Sequence, residues 1–217
     1  MSFEALPERL AQVRAELGGG VTIVAVTKGF GPDAVRAAVA AGLADIGENR
    51  VQEAVQKQEA LPELTGIRWH LIGHLQRNKA RLVPGRFEMV HSVDSLELAN
   101  ELDKRAAGLR VLLQVNVAHE SQKSGCAPEE ARTLARQIAA LGNLRLEGLM
   151  TLAPFTDDVE VQRRTFRGLR LLRDTINEEE GLWLPTLSMG MSGDYATAVA
   201  EGATVIRLGT VLFGPRT

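Results

Sequence analysis

Short apolar runs alternate with longer amphipathic segments along the whole chain. The first run covers residues 21–27 (VTIVAVT) and is almost entirely apolar and rich in β-branched residues, which is typical of a strand buried on both faces. Seven further apolar runs lie at residues 44–46, 67–72, 87–91, 110–116, 144–150, 185–189 and 204–207. The pattern therefore predicts eight buried strands.

Helical periodicity fills the gaps between these runs. It predicts helices at residues 32–41, 50–60, 78–83, 95–106, 128–141, 159–179 and 194–201, and a last short helix after Gly209. An extra N-terminal helix at residues 1–17 ends at three consecutive glycines. Eight alternating strand–helix units predict an α/β fold, a (β/α)8 TIM barrel, with residues 1–217 as a single domain.

An open, doubly wound sheet is the alternative fold, because the same alternation of strands and helices would also build it. Two features favour a closed barrel. Eight strands are the number that such a barrel needs, and glycine-rich turns follow strands seven and eight, where these barrels often bind phosphate.

Composition narrows the classes of partner. The chain has 217 residues with a net charge of -2 spread over interspersed acids and bases, which does not favour nucleic acid or an anionic membrane as a partner. Cys126 is the single cysteine, which excludes an intramolecular disulfide and indicates a reducing compartment. No apolar run approaches the roughly 18 residues of a membrane span, and residues 1–17 have neither signal-peptide nor transit-peptide character. We therefore expect a cytoplasmic monomer with a small ligand.

The two glycine-rich turns predict a phosphate site. Residues 187–195 (LSMGMSGDY) and 205–214 (VIRLGTVLFG) each run from a strand through a turn into a helix. Helix N-termini carry free backbone N–H groups and about half a positive charge, so two of them together favour a phosphate. Ser192 suits the N-cap position of the seventh helix.

Lys28 ends the first strand, and strand ends are where barrels carry their chemistry. A lysine among apolar neighbours can lose its proton and form a Schiff base with an aldehyde; the alternative is a lysine that simply enters solvent. Closure of the barrel would place Arg207 and residues 209–210 next to it, within about two strand spacings, or 10 Å. A phosphorylated aldehyde that needs a lysine is most simply pyridoxal 5′-phosphate (PLP). Facing the ring nitrogen, Arg207 would keep that nitrogen unprotonated; alternatively it pairs with a nearby acid.

The chain resembles the pyridoxal phosphate homeostasis proteins of the YggS/PROSC type over nearly its whole length. The motifs that carry the resemblance are residues 25–28 (AVTK), 47–53 (GENRVQE), 69–79 (WHLIGHLQRNK), 91–95 (HSVDS), 115–117 (VNV), 123–125 (KSG), 148–150 (GLM), 187–192 (LSMGMS) and 207–210 (RLGT). Two positions depart from the family pattern: Arg50 stands where tyrosine is usual, and Leu71 stands where an aromatic residue is usual. Either departure could change the wall or rim of a pocket.

The resemblance implies a fold-type III PLP-binding barrel similar to the N-terminal domain of alanine racemase. It implies that Lys28 holds the cofactor as an aldimine and that Arg207 faces the pyridine nitrogen. The residues that would hold the phosphate are Ser192, Gly193, Gly209 and Thr210. Asn49 is expected close to the ring, and the lesser wall candidates are His70, Ser188 and Met189. No metal site is expected, because the four histidines are dispersed.

The family resemblance implies a protein that buffers PLP or delivers it to PLP-dependent apo-enzymes, and keeps amino-acid and keto-acid pools in balance, without strong catalysis of its own. A racemase would need a second base, and Tyr195, the only tyrosine, is expected to pack. The alternatives are a PLP-dependent racemase or transaminase, which predicts turnover, and a Schiff-base aldolase or phosphosugar enzyme, which predicts a colourless protein. Lys123 is a candidate for a second, looser aldimine, and the basic residues between 77 and 86 are a solvated face or a docking surface.

Overall fold

Eight parallel strands close into a barrel in chain order, with β1 paired to β8. The structure is a computed structural model that describes residues 3–120 and 122–215. The strands are β1 (Thr22–Val26), β2 (Asp45–Glu48), β3 (Arg68–Leu71), β4 (Met89–Val93), β5 (Leu109–Gln114), β6 (Leu144–Met150), β7 (Thr186–Ser188) and β8 (Val205–Leu208). The predicted (β/α)8 barrel is confirmed, and the open sheet is wrong, because the first and last strands form a parallel ladder.

Helices connect the strands on the outside of the barrel. They are α1 (Leu6–Leu17), α2 (Pro32–Ala40), α3 (Val51–Glu59), α4 (Leu96–Asp103), α5 (Pro128–Ala139), α6 (Val159–Glu180), α7 (Tyr195–Ala200) and α8 (Thr210–Phe213). The segment between β3 and β4, for which a helix was predicted, forms a 3₁₀ helix at Arg77–Leu82. Among the described residues, no helix is both long and apolar enough to cross a membrane.

The extra N-terminal helix packs against the end of the chain. Its predicted first two residues lie outside the described part, and α1 ends at Gly18, whose φ of 68° is the left-handed conformation that glycine adopts without strain. The Arg9 guanidinium donates to the Leu212 carbonyl oxygen over 3.3 Å, and the Tyr195 hydroxyl donates to the Glu16 carboxylate. Helix α1 therefore ties α7 and α8 to the start of the barrel.

The two faces of the strands have different surroundings. Outward-facing side chains such as Ala25 and Ile46 join one continuous apolar layer with the helices. Gly47 lies on the inward face together with Val24 and Val26. A β-carbon on Gly47 would lie 2.7 Å from Val24 Cγ1 and 3.6 Å from Val26 Cγ2. The apolar side chains of the interior are few, and a small cluster of Met89, Leu112 and Met150 is separate from the main core.

Polar side chains fill much of the remaining barrel interior. In the ladders Val24 lies opposite Arg207, Gly47 opposite His70, and Asp45 opposite Arg68. Residues opposite each other on neighbouring strands point to the same face, so these polar residues point inward with Val24 and Gly47. β1 is apolar on both faces from Ile23 to Val26, whereas β2, β3 and β8 are buried strands whose inward faces carry polar side chains.

Candidate functional site

Lys28 lies in the turn directly after β1, and its side chain is half-buried. Because β1 ends at Val26, this turn lies at the C-terminal mouth of the barrel. A β-carbon on Gly209 would lie 3.5 Å from the Val26 carbonyl oxygen. Closure of β1 on β8 thus brings the lysine turn and the turn at Gly209 to the same edge, as the sequence predicts.

Ser192 joins the two glycine-rich turns. Its hydroxyl oxygen accepts the backbone N–H groups of Gly209 and Val211, each over 3.2 Å. The N-cap of α7 is Asp194, whose carboxylate accepts the N–H of Met191 over 2.5 Å. The prediction that Ser192 caps the seventh helix is therefore wrong, because barrel closure offers its hydroxyl the free N–H groups at the start of α8.

Gly193 and Thr210 complete the predicted phosphate set. Both are exposed at the mouth, and no heavy atom outside the adjoining residues lies within 4 Å of where a Gly193 β-carbon would stand. The structure thus brings all four members of the set to the turns that follow β7 and β8.

Arg207 is buried below these turns, with 3% of its surface exposed. Its guanidinium donates to the Ser188 hydroxyl over 2.6 Å and to the Thr151 carbonyl oxygen over 3.0 Å. Burial lowers the pKa of Arg207 to about 10, and the charge of Asp194 acts in the opposite direction. Arg207 remains a cation at neutral pH. Its recorded hydrogen bonds go to neutral oxygens, whereas the sequence left a pairing with an acid open.

A chain of hydrogen bonds continues from Ser188 through the barrel interior. His91 Nδ1 lies 2.8 Å from the Ser188 hydroxyl, His91 Nε2 lies 2.9 Å from His70 Nδ1, and His70 Nε2 lies 3.0 Å from the Asp45 carboxylate. Arg68 binds the same carboxylate with two bonds of 2.7 and 2.6 Å. This line of hydrogen bonds runs from the mouth of the barrel to its opposite end.

Burial and hydrogen bonds set the charge states of His91 and Asp45 in this line of hydrogen bonds. Burial lowers the pKa of His91 well below its usual value, and electrostatic interactions with His70, Arg207 and Arg110 act in the same direction. Burial also acts to raise the pKa of Asp45, but hydrogen bonds from His70 and Arg68 outweigh it and lower this pKa to about 2. At neutral pH, His91 is neutral and Asp45 is ionised.

The predicted wall residues occupy three different places. Both His70 and Ser188 are buried inside the barrel and bonded to other protein groups, while Met189 is fully buried in the outer apolar layer. Asn49 is half-buried after β2, and its carbonyl oxygen would lie only 2.4 Å from a β-carbon on Gly73. The contact of these four residues with a ligand stays a prediction.

The two residues that depart from the family pattern, Arg50 and Leu71, lie in different surroundings. Arg50 is exposed at the start of α3, on the rim of the barrel. Leu71 is fully buried in the outer apolar layer, because it alternates with the inward-facing His70. Leu71 therefore faces away from the barrel interior.

Sequence reasoning missed a buried ion-pair cluster behind the Lys28 turn. The Lys57 ammonium, 4% exposed, donates to the Thr27 carbonyl oxygen over 2.7 Å, to Glu48 over 2.5 Å and to Glu53 over 2.9 Å. The backbone N–H of Gly29 donates to the same Glu53 carboxylate over 2.8 Å. The cluster therefore fixes the residues on both sides of Lys28. The four-residue spacing of Glu53 and Lys57 on a helix was the available signal.

The remaining candidates are bonded to other protein groups. Lys123 pairs with Glu120 and donates to the Ala153 carbonyl oxygen over 2.7 Å. Tyr195 packs on α1 as predicted, and burial together with its bond to Glu16 raises the pKa of Tyr195 to about 12. Within residues 3–120 and 122–215, no group of three His, Cys, Asp or Glu side chains could hold a metal ion.

The fold and the family comparison agree on the class of protein. The sequence matches the family described as alanine racemase, N-terminal domain, over residues 1–217. The closed parallel barrel also matches the fold of the alanine racemase of Clostridium difficile 630, with a TM-score of 0.82 at 17% identity over 98% of this chain and 57% of that one.

Individual relatives narrow the class. A pyridoxal phosphate homeostasis protein of Synechocystis sp. is 44% identical over 214 residues, or 97% of this chain and 98% of that protein. One of Pseudomonas aeruginosa is 48% identical over 200 residues, or 90% of this chain and 85% of that protein. PipY of Synechococcus elongatus PCC7942, solved with PLP bound, has a TM-score of 0.90 at 40% identity and covers 96% of this chain and 100% of its own. The chain belongs to the pyridoxal phosphate homeostasis protein family.

Proposed function

We propose that this chain binds PLP at the barrel mouth through Lys28 and serves to buffer and deliver the cofactor. The family membership supports the homeostatic role, and the structure of PipY with PLP bound supports binding by this barrel. The observation that carries the proposal is the ladder between β1 and β8, which gathers Lys28, Arg207 and Gly209 at one edge of the barrel.

The residues at the mouth fit the chemistry of PLP. Backbone N–H groups converge on the Ser192 hydroxyl at the start of α8, where a phosphate would replace part of this bonding. Lys28 would form the Schiff base with the aldehyde, and the buried guanidinium of Arg207 would face the pyridine nitrogen. The walls would include Asn49 with His70, Ser188 and Met189.

Bound PLP supplies an electrophilic aldehyde and an electron sink. A guanidinium holds all its protons and can only donate, so Arg207 leaves the pyridine nitrogen unprotonated and weakens that sink. The hydroxyl of Tyr195 is engaged with Glu16, which makes it a poor second base. These features favour a carrier over a racemase or transaminase.

The acceptors in this proposal are PLP-dependent apo-enzymes, and the chain acts as a cytoplasmic monomer formed by one domain. Arg77, Arg81 and Arg86 are exposed on and next to the 3₁₀ helix and could contact an acidic acceptor surface. Reactivation of an apo-enzyme faster than by an equal amount of free PLP would support direct delivery, and an equal rate would contradict it.

Absorbance after incubation with PLP tests the binding proposal. We expect a near-visible band in the wild type, its loss in Lys28→Ala, and its retention in Lys104→Ala, which removes an exposed lysine on the barrel exterior. Borohydride reduction should attach the cofactor to the peptide that contains Lys28. A wild type without the band would refute PLP binding and favour a phosphosugar ligand. Turnover in an alanine racemisation assay would refute the carrier role.

A further inference from the structure

The guanidinium of Arg207 is buried without a carboxylate on its hydrogen-bonding edge. Within the described part of the chain, its recorded bonds go to the Ser188 hydroxyl and the Thr151 carbonyl oxygen, and Asp194 acts on it only through space. A buried cation is costly unless it is hydrogen-bonded, so the groups that hold Arg207 matter. The line of hydrogen bonds that leaves Ser188 passes through His91 and His70 and ends at the Asp45 carboxylate, which Arg68 also binds.

The chemistry of the two ends favours one order of donors between them. An arginine can only donate, and an ionised aspartate can only accept. The Ser188 hydroxyl accepts from Arg207, and its own hydrogen is then available to His91 Nδ1. In this order His91 donates from Nε2 to His70 Nδ1, and His70 donates from Nε2 to Asp45. Each imidazole therefore donates from Nε2 and accepts at Nδ1.

This order makes the line a single oriented unit. In the opposite order the Ser188 hydroxyl would accept from both Arg207 and His91 Nδ1, and within the described residues its own buried hydrogen would have no acceptor. Both rings are buried, His91 fully and His70 with 4% exposed, so water cannot easily replace a lost partner.

We propose that His91, His70 and Asp45 are positioning residues that orient the Arg207 guanidinium through the Ser188 hydroxyl. The inference rests on the proposed function, because Arg207 matters as the group that faces the pyridine nitrogen. The line acts by holding the donor edge of Arg207 at one angle.

Nitrogen NMR of the histidines in the cofactor-free protein tests the orientation. We expect the Nε2–H tautomer for both His70 and His91 in the wild type. In Asp45→Asn, which removes the charge while keeping the shape, the signals of His70 should shift. The signals of His91 should shift as well, although His91 does not touch residue 45. An Nδ1–H tautomer at His91, or an unchanged His91 in Asp45→Asn, would overturn the proposal.

Cofactor binding tests the consequence for Arg207. We expect His91→Phe and Asp45→Asn to weaken PLP binding by about 10-fold, as loss of supporting residues does at metal sites, and to shift the absorbance maximum of the bound cofactor. His91→Gln can accept and donate along the same line and should restore part of the affinity. Met89→Leu, on the same strand and the same inward face, is the matched control and should bind like the wild type.

The outcomes separate the two proposals. Circular dichroism and thermal unfolding select the folded variants, and Asp45→Asn carries the test if His91→Phe does not fold. A wild type without a PLP band would refute the proposed function, and this inference with it. A wild-type band together with unchanged affinity and absorbance maximum in the folded variants would overturn this inference alone.

Discussion

Replacing Lys57 by methionine should destabilise the protein by about 3 kcal/mol at neutral pH. Methionine keeps most of the packing of the lysine stem but removes the ammonium from three acceptors. The Glu48 carboxylate is fully buried, and within the described residues its Oε2 has no hydrogen-bond partner. Breaking a buried ion pair by removing one partner costs about 3 to 5 kcal/mol. Protonation of Glu48 keeps the cost near the lower end.

The loss should depend on pH. Burial raises the pKa of Glu48, and the bonds from Lys57 and Thr27 act in the opposite direction. Without Lys57 the pKa of Glu48 rises further. When a carboxyl has a raised pKa in the folded state, the free energy of unfolding of the protein falls as the pH rises above the pKa of that carboxyl in the unfolded state. Urea unfolding of wild type and Lys57→Met should therefore show a larger difference at pH 8 than at pH 5.

Two further variants make the reasoning refutable. Lys104→Met removes an exposed partner of Glu101 and should cost less than about 0.5 kcal/mol. Lys57→Met combined with Glu48→Gln should recover part of the loss, because no buried charge remains. A loss below about 1 kcal/mol in Lys57→Met, with an unchanged urea m-value and no pH dependence, would refute the role of this cluster.

Three other changes test separate features. The pKa of Asp45 is about 2 in the folded state, so its ionised carboxylate adds about 2 kcal/mol to the free energy of unfolding. This contribution is present when the pH is above the ordinary pKa of aspartate and is lost as the pH falls towards 2. Urea unfolding of Asp45→Asn should lack this loss. Gly148→Ala would place a β-carbon 1.9 Å from the Thr186 carbonyl oxygen and should cost more than about 2 kcal/mol in thermal unfolding, whereas Gly142→Ala has open space and should be nearly neutral. Burial raises the pKa of Cys126 to about 12, so iodoacetamide at pH 8 should label it far more slowly in the native protein than in urea.

The fold could be predicted because its signals are local. Eight apolar runs and the helical periods between them depend on neighbouring residues only, and the glycine turns after strands seven and eight favoured closure. Closure then placed the Lys28 and Gly209 turns together, as β1 and β8 pair in the structure. The part of the candidate site that lies at the strand ends was predictable, because the C-terminal ends of parallel strands meet at one edge of the barrel.

The interior could not be predicted from apolar content. The segment Arg68–Leu71 alternates polar and apolar residues, which places Arg68 and His70 on one face. The alternation was visible, but only the closed barrel decides that this face points inward and that His70 meets Asp45 and a histidine from β4. Ser192 is similar, since its partner N–H groups come from another turn.

Closure by the ends of the chain has a consequence for biosynthesis. The ladder that joins Thr22 to Val205 spans nearly the whole sequence, and contacts of such high sequence separation form late and slowly. Strand β8 is synthesised long after β1, so Arg207 and the turn at Gly209 reach Lys28 only after the last strand has emerged. Under the proposed function, cofactor capture is thus confined to a chain that includes β8, and a product truncated before β8 would carry the lysine without the site.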